Sequence, residues 1–61
     1  MQGTEYIAIC FKFDRDPLPR RYHIAERQIP RFNAFLARQG YLYYNLYDRF
    51  NQGFVQRIWI R

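Results

Sequence analysis

Apolar and polar positions alternate strictly at both ends of the chain, and the period changes in between. From Glu5 to Phe13 the odd positions Ile7, Ile9, Phe11 and Phe13 fall on one side and Tyr6, Ala8, Cys10 and Lys12 on the other, which predicts a strand. The stretch Tyr41 to Arg61 alternates on either side of Asn51-Gln52-Gly53 and predicts a hairpin, its three-residue connection being a type I turn closed by a left-handed Gly53. Closing Phe50 against Phe54 sets Leu46 opposite Ile58 and Tyr44 opposite Ile60 on one face. On the other face the same register sets Tyr47 opposite Arg57 and Tyr43 opposite Arg61.

Between these strands, Asp14-Arg15-Asp16-Pro17-Leu18-Pro19-Arg20 has the prolines and aspartates of a loop. Arg21 to Arg27 reads either as a strand with Tyr22 and Ile24 facing in, or as the first turns of a helix running to Gln39. Pro30 favours the strand, because proline inside a helix costs roughly 3 kcal/mol yet suits the first helical position, with Ile29 extended before it. A helix from Pro30 to Gln39 then carries Phe32, Phe35, Leu36 and Gln39 on one stripe and ends at Gly40. The expected fold is a single α+β domain over residues 1–61, a two-layer ββαββ arrangement with one short helix on one face of a small, mostly antiparallel sheet. If 21–27 is helical the order becomes βαββ, and periodicity does not fix the order of the strands.

Charge gives these elements a functional direction. Ten basic residues oppose five acidic ones, for a net charge of +5, and nine of the ten are Arg, whose planar guanidinium suits phosphates, carboxylates and aromatic rings. A mean hydropathy of -0.55 with no long apolar run argues against a membrane partner. At 61 residues the core is small enough for self-association to add stability. The start MQGTEYIAICFKF has no signal-peptide pattern and Cys10 is the sole cysteine, so a cytoplasmic location is expected and Cys10 reads as a small apolar strand residue.

The outward face of the C-terminal hairpin is where this charge meets the aromatics. Its first half holds Tyr41, Tyr43, Asn45, Tyr47 and Arg49, and its second half Val55, Arg57, Trp59 and Arg61, with Asp48 on the opposite side. Lys12 and Tyr6 of the first strand would extend that surface if the two segments are neighbours. Single-strand binders use such faces, stacking bases on Tyr or Trp and tracking phosphates with Arg and Lys. Tyr43, Tyr47 and Trp59 are therefore the candidate platforms, and Lys12, Arg49, Arg57 and Arg61 the candidate phosphate contacts. The same residue types also mark protein interfaces, so docking on an acidic protein surface and pairing of this face with itself in a homodimer are the alternatives. Enzymatic chemistry, cofactors and metals are not expected: the chain has no serine, a single histidine, and no glycine-rich phosphate loop. Strand geometry sends His23 and Glu26 to opposite faces, and Asp14 with Asp16 lacks the further oxygen ligands a hard cation needs.

Overall fold

The computed structural model describes residues 4–61. Strands β1 (Glu5–Phe11) and β2 (Arg20–Ala25) form one hairpin, helix α1 (Ile29–Gln39) follows, and β3 (Tyr43–Asp48) and β4 (Phe54–Trp59) form the second hairpin. The four strands make one fully antiparallel sheet in the order β2-β1-β3-β4, so the two hairpins meet through β1 and β3. This is the ββαββ arrangement, and Arg21 to Ala25 is strand. Among the described residues no helix is long and apolar enough to cross a membrane.

The passage from β2 into α1 is tighter than proline placement alone suggests. A single 3-10 turn, Glu26–Gln28, links the two, and the Gln28 side chain reaches back to accept a 2.8 Å hydrogen bond from the Ala25 amide. Because that turn feeds straight into the helix, Ile29 is helical (φ -56°, ψ -47°) and not extended, and Pro30 falls one residue inside the start. Its missing N–H costs nothing there, since first-turn amides have no intrahelical partner. At the other end Gly40 takes the left-handed conformation (φ 82°), its N–H reaches Ala37 O, and the Tyr41 N–H reaches Leu36 O at 3.0 Å. These two bonds are a Schellman motif, which turns the residue after the glycine back onto the helix's last turn.

The core lies between α1 and one face of the sheet. Phe32 and Leu36 of the helix pack on Ala8 and Cys10 of β1, Ile24 of β2, and Tyr44 and Leu46 of β3. Tyr41 joins them, delivered by the Schellman turn. Gln39, expected on the helix's inner stripe, is exposed. The Tyr44 hydroxyl donates to Asn33 Oδ1 at 2.5 Å, so the one polar atom that this ring carries into the core is satisfied.

In β1 the even positions lie under the helix and the odd ones face away, which reverses the expectation that Tyr6, Ala8, Cys10 and Lys12 would share a face with the outward aromatics. Size decides this. A helix carrying Phe32 and Leu36 over a sheet already holding Tyr44 needs small residues in the middle strand, and Ala8 and Cys10 leave that room while Ile7 and Ile9 would overfill it.

From Tyr43 to Tyr47 and from Gln56 to Trp59 the C-terminal hairpin keeps its predicted faces but not its predicted register, while Phe54, expected on the side of Leu46 and Ile58, crosses to the outward face. Tyr44 pairs with Ile58 and Tyr43 with Trp59, two residues from the expected partners, and a bulge at Val55 then sets Tyr47 opposite Phe54. A shift of two preserves which side each residue faces. The turn is longer than three residues: Asp48 Oδ1 accepts from the amides of Phe50 and Asn51, and the Gln52 N–H reaches Asp48 O. The left-handed residue is Gln52 (φ 62°), not Gly53.

Candidate functional site

The sheet face away from α1 is laid out by cross-strand register into three rows. Phe11, Tyr43 and Trp59 form the first, Arg21, Ile9, Asn45 and Arg57 the second, and His23, Ile7, Tyr47 and Phe54 the third. Two aromatic rows thus flank a middle row with an arginine at each end. In the first row Phe11 stacks on Tyr43 at 5.0 Å between centroids, and Tyr43 tilts against Trp59 at 4.8 Å. In the third, Tyr47 and Phe54 meet edge to face at 5.7 Å.

Arg57 ties the rows together. Its Nε donates to Asn45 Oδ1 at 2.9 Å, and its guanidinium carbon sits 4.3 Å from the Tyr43 ring centroid and 5.7 Å from that of Trp59. The guanidinium therefore sits over a phenol ring and is held by a buried amide, with its two terminal nitrogens making no hydrogen bond among the described residues. Tyr43 and Asn45 are buried as a result, although no second layer covers this face, while Trp59 and Phe54 keep 58% and 60% of their surface exposed. Between the second and third rows lies a hollow of about 280 Å³, with Ile7 and Ile9 as its floor, Arg21 and Tyr47 as walls, and Gln52 of the hairpin turn at its rim.

Of the residues singled out from sequence, Tyr43, Tyr47, Arg57 and Trp59 come together on this surface. The others lie elsewhere. Tyr41 precedes β3, is buried in the core beneath the helix, and does not follow the strand's alternation. Lys12 lies past the end of β1, its ammonium 5.3 Å from the Tyr41 ring centroid. Arg49 sits in the hairpin turn and pairs with Glu5, the acidic residue that shares the odd side of β1. Arg61 directs a guanidinium nitrogen to the Gly40 carbonyl at 3.3 Å, at the carbonyl end of α1. Val55 is the bulged residue. Arg21 and His23 follow from a strand with Tyr22 and Ile24 facing in, but Phe54 and the apolar floor were not legible as part of the face: Ala8 and Cys10 are the signal that would have turned β1 over and brought in Ile7 and Ile9, whereas Phe54 arrives through the bulge at Val55.

Cys10 lies wholly buried on the covered face, and burial pushes its thiol up to about 12, which leaves it a packing residue without thiolate chemistry. No family model matches the chain, and neither the curated proteins nor the solved structures contain a match to it.

Proposed function

We propose that this chain is a small non-enzymatic binding module that takes single-stranded nucleic acid on the open sheet face. The observation that carries the reading is the Arg57 arrangement: a guanidinium held over Tyr43 by Asn45, its terminal nitrogens unbonded among the described residues, beside an indole that is more than half exposed. A phosphate would meet Arg57 or Arg21 in the middle row, and bases would stack on Trp59 on one side and on Phe54 or Tyr47 on the other. Such stacking contributes roughly 1–3 kcal/mol per base and is tolerant of sequence. The hollow floored by Ile7 and Ile9 has the mixed apolar and cationic lining that suits a base inserted edge-on. A single cysteine, buried and outside any disulfide, is compatible with a reducing compartment, and cytoplasmic location belongs to the same proposal.

A second reading keeps the face and changes its occupant. Phe54 and Trp59 are large, apolar and exposed on this side of the hairpin, which also suits an acidic protein surface or a second copy of the chain.

The test is binding of a labelled oligo-dT strand at low salt, read by anisotropy and by quenching of Trp59, the sole indole. Trp59→Ala and Arg57→Ala should each weaken binding about tenfold, the equivalent of a single lost stack. Arg15→Gly removes one loop charge at a left-handed position (φ 62°) that glycine adopts freely, and should change affinity by less than about twofold. Equal losses from all three would reduce the interaction to general charge attraction. No binding, together with a light-scattering mass near twice 7.6 kDa that Trp59→Glu returns to one, would replace the proposal with the dimer.

A further inference from the structure

The molecule has a second basic surface, along the β2 edge, which meets the open face at Arg21 and His23 and is otherwise lined by different residues. β2 is an outer strand, and α1 runs alongside it, leaving a cleft of about 330 Å³ between them. Ile24, Phe32 and Phe35 supply its apolar lining, and His23, Gln28, Arg31 and Arg38 its polar one, with no carboxylate among the lining residues. Arg31 and Arg38 are seven residues apart, two helical turns, and so stand on the same side of α1 with Phe35 between them. A further hollow lined by Arg27, Gln28, Pro30 and Arg31 continues the groove toward the helix start.

The backbone of β2 specifies what this groove would hold. The Glu26 N–H bonds to Thr4 O, so by antiparallel alternation the even residues of β2 turn their amides toward β1 and the odd ones turn theirs outward. The outward amide of Ala25 is already satisfied by Gln28 Oε1. Arg21 and His23 are left with N–H and C=O groups on the open edge, a ready template for another strand. A nucleic-acid backbone cannot reproduce that ladder of alternating donors and acceptors, but a peptide can.

We propose that the groove between β2 and α1 captures a short extended acidic peptide by strand addition to the β2 edge. Its main chain pairs with Arg21 and His23. Alternate side chains, apolar, point to the helix side and pack on Ile24, Phe32 and Phe35. The intervening ones, acidic, lie beside Arg21 and His23, and flanking carboxylates meet Arg31 and Arg38. The Ala25–Gln28 bond ends the paired segment, which keeps it to a few residues.

The experiment titrates the full chain with a capped peptide of alternating Glu and Val, followed by amide NMR shifts. Shifts should centre on Arg21, His23 and Phe35, a peptide with Lys in place of Glu should give none, and Arg38→Glu should weaken binding about tenfold. Only one set of alternate peptide amides can face β2. N-methylating that set should weaken binding about tenfold, while methylating the other set leaves it unchanged, a readout that alters nothing in the protein. Tolerance of both sets, shifts confined to Phe11, Tyr43, Tyr47 and Trp59, or no shift at millimolar peptide would each overturn the proposal.

Discussion

Beneath α1 the central strand β1 presents Ala8 and Cys10, and Phe32 and Leu36 descend between Ile24, Tyr44 and Leu46. On its other face the same strand presents Ile7, Ile9 and Phe11 to a surface with no second layer, where Tyr43 and Asn45 are nevertheless buried under Arg57 and Trp59. One face loses its contact with water through a helix and close packing, the other through a few long side chains folded down onto their neighbours. The first is a core in the ordinary sense, intolerant of volume change. The second is a cover that a ligand can share or replace.

The largest difference between the faces should appear on truncation. Leu36→Ala removes a fully buried side chain from the covered face and should cost about 2–5 kcal/mol, a large share of what a 61-residue domain has to lose. Ile9→Ala, at a half-buried position on the open face, should cost clearly less in urea unfolding. Equal costs would mean that the open face is a second core, closed in solution by another copy of the chain.

Alkaline pH should act through the covered face. Burial raises both the Cys10 thiol and, with the neighbouring Cys10 as a smaller cause, the Tyr44 phenol to about 12, against ordinary values of 9.0 and 10.0. Both groups are neutral when protonated and are held so by the fold. Their contribution to stability is complete below the unfolded values and declines as pH rises from about 9 toward 12. Thermal unfolding should therefore lose cooperativity and midpoint over that window, and Cys10→Ala should shift the onset upward by removing the earlier titration. At pH 8 a thiol reagent should label Cys10 only at the rate of opening of the fold.

Adding volume should separate the faces again. Ala8→Leu drives extra methylenes beneath Leu36 and Phe32 and should destabilise by about 1–3 kcal/mol, measured in the same urea series. Ile9→Leu, on the far side of the same strand, should cost less than about 1 kcal/mol. This contrast is also what hid half of the site in the sequence. Alternation in β1 told correctly that Ile7, Ile9 and Phe11 share a side, but hydrophobicity alone assigns the greasier side to the core. The helix needs the side with the smaller residues, and that need exists only once Tyr44, Phe32 and Leu36 are placed over it. The order of elements, the strand over Arg21 to Ala25 and the helix end at Gly40 were legible because proline, glycine and a strict period each act locally. The two-residue shift in the last hairpin was not, since it depends on Asp48 capping a longer turn and on Gln52 adopting a left-handed conformation that sequence assigns to the neighbouring glycine.

Removing the cover itself is a milder change. Arg57→Ala forfeits a cation–π contact worth roughly 0.5–1 kcal/mol and leaves Asn45 open to water, which costs the amide little because water replaces the guanidinium. Stability should fall by about that amount, and the change in Trp59 emission should be larger in proportion, since the indole loses a neighbour without losing its strand. Arg57→Lys keeps the charge but not the planar fork, and should restore less of the emission than of the stability.

The smallest effect concerns the carboxylate on the odd side of β1. Glu5 lies beside β3's turn and pairs with Arg49, both side chains being close to half exposed, so the pair should contribute no more than about 1 kcal/mol and lose even that in high salt. Glu5→Gln should leave the unfolding midpoint within a few degrees. Its consequence for the open face is electrostatic: the substitution removes the negative charge that neutralises Arg49 and leaves that guanidinium free at the end of the sheet nearest His23 and Tyr47. If the face binds a polyanion, Glu5→Gln should tighten oligo-dT binding a few-fold at low salt and steepen its dependence on salt by about one counterion. If the face closes on a second copy, the same substitution adds like charge to the interface and should weaken the dimer. The sign of this small change therefore distinguishes the two occupants without disturbing any residue that either of them would contact through an aromatic ring.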